Sequence, residues 1–84
     1  MKRVRLTRHA RLPCGERGAT EAEVCQAIAE GTREPAKMGR VQFRYNFTFG
    51  KTWQGNAYAV KQVAPVVKEQ PDEIVVITVY TCYF

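Results

Sequence analysis

From Val41 to Phe49 the chain alternates without a break. Val41, Phe43, Tyr45, Phe47 and Phe49 fall on one side of an extended backbone, and Gln42, Arg44, Asn46 and Thr48 on the other. A period of two predicts a half-buried antiparallel strand, with the aromatic stripe packed under another layer. The stretch GKTWQG (50–55) supplies a hairpin connection, and Asn56 to Val63 reads as the next strand. Pro65 has no amide hydrogen and marks a bulge or corner, after which Val66 and Val67 resume. Gln70-Pro71-Asp72 is a turn. Glu73 to Phe84, EIVVITVYTCYF, is apolar on both faces, which predicts a central strand.

Upstream of Val41 the period lengthens. Thr20 and Glu23 stand in the T-x-x-E spacing of a capping box, in which each side chain satisfies the other residue's backbone N–H. Val24, Cys25 and Ile28 supply the apolar face of the helix that follows, and Gly31 ends it. Glu21 and Glu23 suit its first turn, where the helix dipole favours negative charge. An earlier helix starts at Leu6-Thr7, with Thr7 as N-cap and His9 in the first turn. Pro13 and Gly15 make it short or broken, and Gly18 is a left-handed stop. These elements predict one α+β domain over residues 1–84. Its two N-terminal helices, the first short or broken, pack on one face of a three- or four-stranded antiparallel sheet.

The length of 84 residues fits one domain with a small core. No stretch approaches the roughly 20 apolar residues of a membrane span, and no apolar run follows MKRVRL as it would in a signal peptide, so a cytoplasmic protein with no membrane contact is expected. Cys14, Cys25 and Cys82 form no C-x-x-C pair and are expected as free, buried or half-buried thiols. Their spacing with His9 fits no familiar zinc pattern, so neither metal nor other cofactor is expected. The net charge of +5 is unevenly spread. Residues 1–17 carry Lys2, Arg3, Arg5, Arg8, Arg11 and Arg17 against Glu16 alone. Residues 35–61 carry Lys37, Arg40, Arg44, Lys51 and Lys61 with no acid. Two basic segments in one small fold predict a cationic surface suited to a polyanion.

The polar sheet face is where chemistry is expected. It carries Arg44 and Asn46 in one strand and Thr78 and Tyr80 in another. Lys61, flanked by Ala59 and Val63, has room to lay its stem along the sheet. With the register aligned, Arg44, Lys61, Thr78 and Tyr80 would enclose a cationic, hydroxyl-bearing concavity. His9, the lone histidine, is either a general base suited to neutral pH or an exposed residue of a first helical turn. Arg11, Arg17 and Lys51 are candidate phosphate contacts, and Trp53 either stacks on a base or covers the end of the sheet. Each has a plain alternative: Arg17 pairs with Glu16 or Glu21, Lys61 guards an edge strand, and Thr78 and Tyr80 pack.

Thr7-x-His9-Ala10 with Arg11, Arg17-Gly18, the strand Val60-Lys61-Gln62-Val63 and the closing Ile77-Thr78-Val79-Tyr80, in this order over nearly the whole chain, resemble a family of small bacterial domains. That family is grouped with the RelE and BrnT toxins and the wider barnase-, colicin- and RelE-type metal-independent ribonucleases. The resemblance implies RNA binding, with endoribonuclease action by 2′-hydroxyl attack as its catalytic form. His9 is then the base, Lys61 with Arg17 or Arg44 the phosphate clamp, and Thr78 or Tyr80 a positioning or relay group. It also implies an acidic antitoxin or immunity protein as partner. Two other readings stand beside it. One is a non-catalytic nucleic-acid-binding module. The other is an interaction domain that forms a homodimer through the aromatic YTCYF strand.

Overall fold

The computed structural model describes residues 3–10, 18–53 and 55–84. Five strands, β1 (Arg3–Leu6), β2 (Thr32–Pro35), β3 (Val41–Trp53), β4 (Asn56–Glu69) and β5 (Glu73–Tyr83), form one sheet. Their order is β1-β5-β4-β3-β2. The β2–β3, β3–β4 and β4–β5 pairs are antiparallel, whereas β1 lies parallel to β5, with Arg3 opposite Glu73 and Leu6 opposite Val76. One helix, α1 (Glu21–Glu30), packs on one face against β3 and β4. The expected fold is thereby corrected. In place of two helices on a three- or four-stranded antiparallel sheet, there is a five-stranded mixed sheet with one full helix among the described residues.

The two unforeseen strands are both four-residue edges, RVRL and TREP. An edge strand needs no second apolar face, and charge or proline on it deters pairing with other chains. Neither strand therefore shows the alternation that betrays β3. Residues 8–10 do open a helical turn, and Thr7 Oγ1 accepts the Ala10 N–H at 3.1 Å, as an N-cap should. The same hydroxyl donates to the Val76 carbonyl at 3.0 Å and so ties the turn to β5. Pro13 and Gly15 lie outside the described residues. Gly18 is left-handed at φ +80.

Helix α1 begins with both halves of its capping box in place: Thr20 Oγ1 accepts from the Glu23 N–H at 3.1 Å, and Glu23 Oε1 accepts from the Thr20 N–H at 2.9 Å. Its buried residues are Val24 and Ala27, with Ile28 beside them, while Cys25 is exposed. From Val24 the same helical face returns three and four residues on, which selects Ala27 and Ile28 and turns Cys25 outward. Cys82 is also exposed, so the expected burial of the thiols fails at both described positions. Beneath α1 the sheet contributes Val41, Phe43, Val63, Val67, Val76 and Val79, with Leu6 from β1. Tyr45 and Phe47 pack against this core, as the aromatic stripe predicts. No helix among the described residues is long and apolar enough to cross a membrane.

Two strand boundaries also differ from expectation. The 50–55 connection is mostly strand: β3 runs on to Trp53, which pairs with Asn56. The register slips between Thr48 and Lys51, where Gly50 takes φ +58 in a bulge. Pro65 does not end its strand. It is fully buried within β4 opposite Val79, and the β3–β4 pairing passes from Gln42–Val66 to Tyr45–Val63 around it. A proline inside a central strand is tolerated where the ladder skips it.

The β2–β3 connection is a type I′ turn. Met38 (φ 62, ψ 35) and Gly39 (φ 72) are both left-handed, and the Arg40 N–H donates to the Lys37 carbonyl at 3.3 Å. Glycine adopts this conformation freely, but a methionine there costs roughly 1 kcal/mol or more. Met38 is 86% exposed, so packing does not offset the strain. Met38→Asn, which creates the preferred Asn-Gly pair, is expected to raise stability by about 1 kcal/mol, or roughly 4–8 °C in Tm. Thermal unfolding followed by circular dichroism checks it; an unchanged or lower Tm counts against the strain.

Candidate functional site

The strand pairings assign every sheet residue to a face. Lys61 stands opposite Phe47 and Tyr83, on the helix-covered face with Val63. Thr78 stands opposite Val66 and Tyr80 opposite Ala64, on the uncovered face, which Arg44 shares by its alternation with Phe43 and Tyr45. The expected concavity of Arg44, Lys61, Thr78 and Tyr80 therefore does not form. A strand alternates with period two, so Lys61 and its neighbours Gln62 and Val60 cannot share a face.

Lys61 is instead a buried clamp. Only 6% exposed, its Nζ donates to Glu23 Oε1 at 2.8 Å and to the Gly18 carbonyl at 2.9 Å, and lies 5.6 Å from the centre of the Phe49 ring. It fastens the start of α1 and the segment before it to the sheet. Burial pushes the Glu23 carboxyl up, but hydrogen bonds from Lys61 and from the Thr20 N–H outweigh this and hold it below the usual carboxylate range. Trp53 belongs to the same end of the sheet. Its ring stacks on Tyr83 at 5.0 Å between centroids and closes over Gly18, where a Cβ would meet the indole at 2.9 Å. Phe49 and Tyr58 complete the cluster around Tyr83. This is the covering role for Trp53.

The other candidates are dispersed. His9 is exposed in the helical turn beside β5, and Lys51 is exposed on β3 beyond the bulge. Arg11 and Arg17 lie outside the described residues. Arg44 pairs with Glu34 across the β2–β3 hairpin.

The uncovered face forms a different site. Arg3, Arg5, Arg44 and Lys68 point to it from their strands, and Lys37 and Arg40 flank it from the I′ turn; the strand carboxylates that share this face are Glu34 and Glu73, Glu69 lying on the other face opposite Ile74. Positive charge is thus gathered on one side of a single layer. Between the turn and β5 runs a groove lined by Lys37, Met38, Arg40, Gln42, Thr78 and Tyr80, floored by Val66. Arg5, Arg33, Arg44 and Lys61 are each engaged by a glutamate. Lys37 and Arg40, by contrast, form no ion pair among the described residues, and their charges face solvent and the groove. A groove with uncommitted cations, an amide, a hydroxyl and an exposed phenol is equipped to bind an anionic, hydrogen-bonding ligand. Sequence reasoning noted Lys37 and Arg40 only as members of a basic block; Met38 and Gln42 it missed. Gly39, just ahead of the alternation that starts at Val41, is the one local signal of a turn, and the turn carries both cations to the sheet.

Comparison of the chain with protein-family models, with the curated proteins and with solved structures finds no match.

Proposed function

We propose that this chain is a cytoplasmic RNA-binding domain that holds its ligand on the uncovered face of the sheet. The carrying observation is the segregation of charge: six cations on or beside that face against Glu34 and Glu73, with Lys37 and Arg40 unpaired among the described residues beside a groove. Phosphates supply the complementary charge. The resemblance to RelE- and BrnT-type toxins selects RNA among polyanions. An acidic protein of the antitoxin kind, implied by the same resemblance, competes for this face. Binding is favoured over cleavage because cleavage needs a base and a cation at one phosphate. Lys61 is committed to Glu23 beneath the helix, on the face away from Thr78 and Tyr80.

The test is fluorescence anisotropy of a labelled single-stranded RNA across a salt series. The wild type is expected to lose affinity steeply with salt. Joint Lys37→Ala and Arg40→Ala replacement should weaken binding at least tenfold and lower the log–log salt slope by about 1.4, some 0.7 per phosphate contact. Absence of RNA binding at about 50 mM salt refutes the proposal.

A further inference from the structure

We infer that the groove between the I′ turn and β5 is a pocket for one unpaired base of a single-stranded RNA, a reading that rests on the RNA-binding role above. Three observations converge on it. First, Met38 and Tyr80 both line the groove, and both are large apolar side chains left open to solvent, Met38 at 86% and Tyr80 at 49%. A thioether and an aromatic ring bordering one groove can take a flat base between them, and stacking of this kind accepts any base because every base has a π-face. Second, Gln42 and Thr78 line the same groove, and neither side chain hydrogen-bonds to another described residue. A free carboxamide presents a donor and an acceptor together, the pattern that reads a base edge, while the hydroxyl serves either role. Third, Lys37 and Arg40 both line the groove from the I′ turn, where they meet the phosphates on either side of a base held inside.

The strain at Met38 is an independent pointer. Asparagine or glycine would form this turn at lower cost, yet a methionine occupies the left-handed position and is presented at the groove's rim. The base must be out of any helix to enter. A duplex keeps its bases stacked inside and offers a flat sheet face only its backbone.

Binding is measured with two fluorescein-labelled RNAs, a ten-nucleotide single strand and a hairpin of equal charge, on wild type, Tyr80→Ala, Tyr80→Phe and Met38→Asn. The single strand is expected to bind at least tenfold tighter than the hairpin. Tyr80→Ala should cost roughly tenfold on the single strand alone, and Tyr80→Phe should restore affinity to within about twofold. Met38→Asn should weaken single-strand binding several-fold while raising Tm, a divergence that a purely structural role for Met38 does not produce. Equal binding of the two RNAs overturns the inference, as does a Tyr80→Ala protein with unchanged affinity. In either case loss of binding on Lys37 and Arg40 replacement keeps the RNA-binding role standing. If neither RNA binds, both fall together.

Discussion

Lys61→Ala is expected to lower the unfolding free energy by about 3 kcal/mol. Removing one partner of a buried ion pair typically costs about 3–5 kcal/mol, and the low end applies because the Glu23 side chain keeps 22% exposure. The loss has two parts: the Glu23 carboxylate is stranded in a half-buried place, and the Gly18 carbonyl loses its donor. Lys61→Met keeps the stem over Phe49 and should cost less, about 1–2 kcal/mol. The clamp also has a pH signature. Because the folded state holds Glu23 below its ordinary range, the stabilisation is fully present above the unfolded-state value of about 4.3 and is lost as the pH falls through the folded value. The gap between wild type and Lys61→Met should therefore narrow between about pH 5 and the lowest pH at which the protein folds. Urea unfolding at several pH values reads both effects. If Lys61→Ala costs less than about 0.5 kcal/mol, the clamp is unimportant. RNA affinity of Lys61→Met should match the wild type; a tenfold loss would return Lys61 to the binding site.

Gly31→Ala is the second severe change. Its backbone, at φ −75 and ψ 168, lies in a region open to every residue, so glycine is not required there for its torsions. It is required for space. A Cβ at this position would stand 2.3 Å from the Ala27 carbonyl oxygen and 2.6 Å from that of Arg44. Both obstacles are backbone, one at the last turn of α1 and one on β3, so relief demands that helix and sheet move apart over the core. Overpacking of this kind costs about 1–3 kcal/mol, and the upper end is expected because no flexible side chain can yield. Gly55→Ala is the internal control. Nothing lies within 4 Å of its Cβ position, and only its φ of +85 resists substitution, at about 1 kcal/mol. Denaturant midpoints for the two variants should differ clearly; an equal shift would show that helix and strand are not pressed together at Gly31.

What the sequence disclosed followed from local rules. The capping box of α1, the Thr7 cap and the aromatic stripe of β3 each depend on residues within a few positions of one another, and each is found. β5, expected as a central strand, lies between two strands only from Glu73 to Val76 and borders β4 alone beyond. What it concealed depends on pairing between distant residues. RVRL has no strand signature of its own and becomes β1 only because β5 offers a free edge 70 residues away. The failure at the site has the same origin. Lys61, Thr78 and Tyr80 read alike as polar residues of strands, but the face of Lys61 is decided by the partner it meets across the sheet, and that partner is Phe47. A lysine bracketed by Ala59 and Val63 reads as exposed because nothing nearby in the chain announces that Glu23 reaches it. The groove was hidden for a third reason. Its cations come from a turn, and only the I′ geometry of Met38 and Gly39 brings that turn alongside β5.

The parallel pairing of β1 with β5 also dictates when the sheet can be finished. During synthesis β1 leaves the ribosome well before its hydrogen-bonding partners at Glu73 to Val76, which follow it by about 70 residues. The β2–β3–β4 meander and α1 have local partners and can assemble as they emerge. β1 has none until β5 is in place, and must wait exposed with its arginines in water. Closing so long a loop is slow compared with forming hairpins, so its docking is the natural final step of folding. The charged sequence that hides β1 from pattern recognition is thus the same property that keeps an unpaired strand from aggregating while it waits.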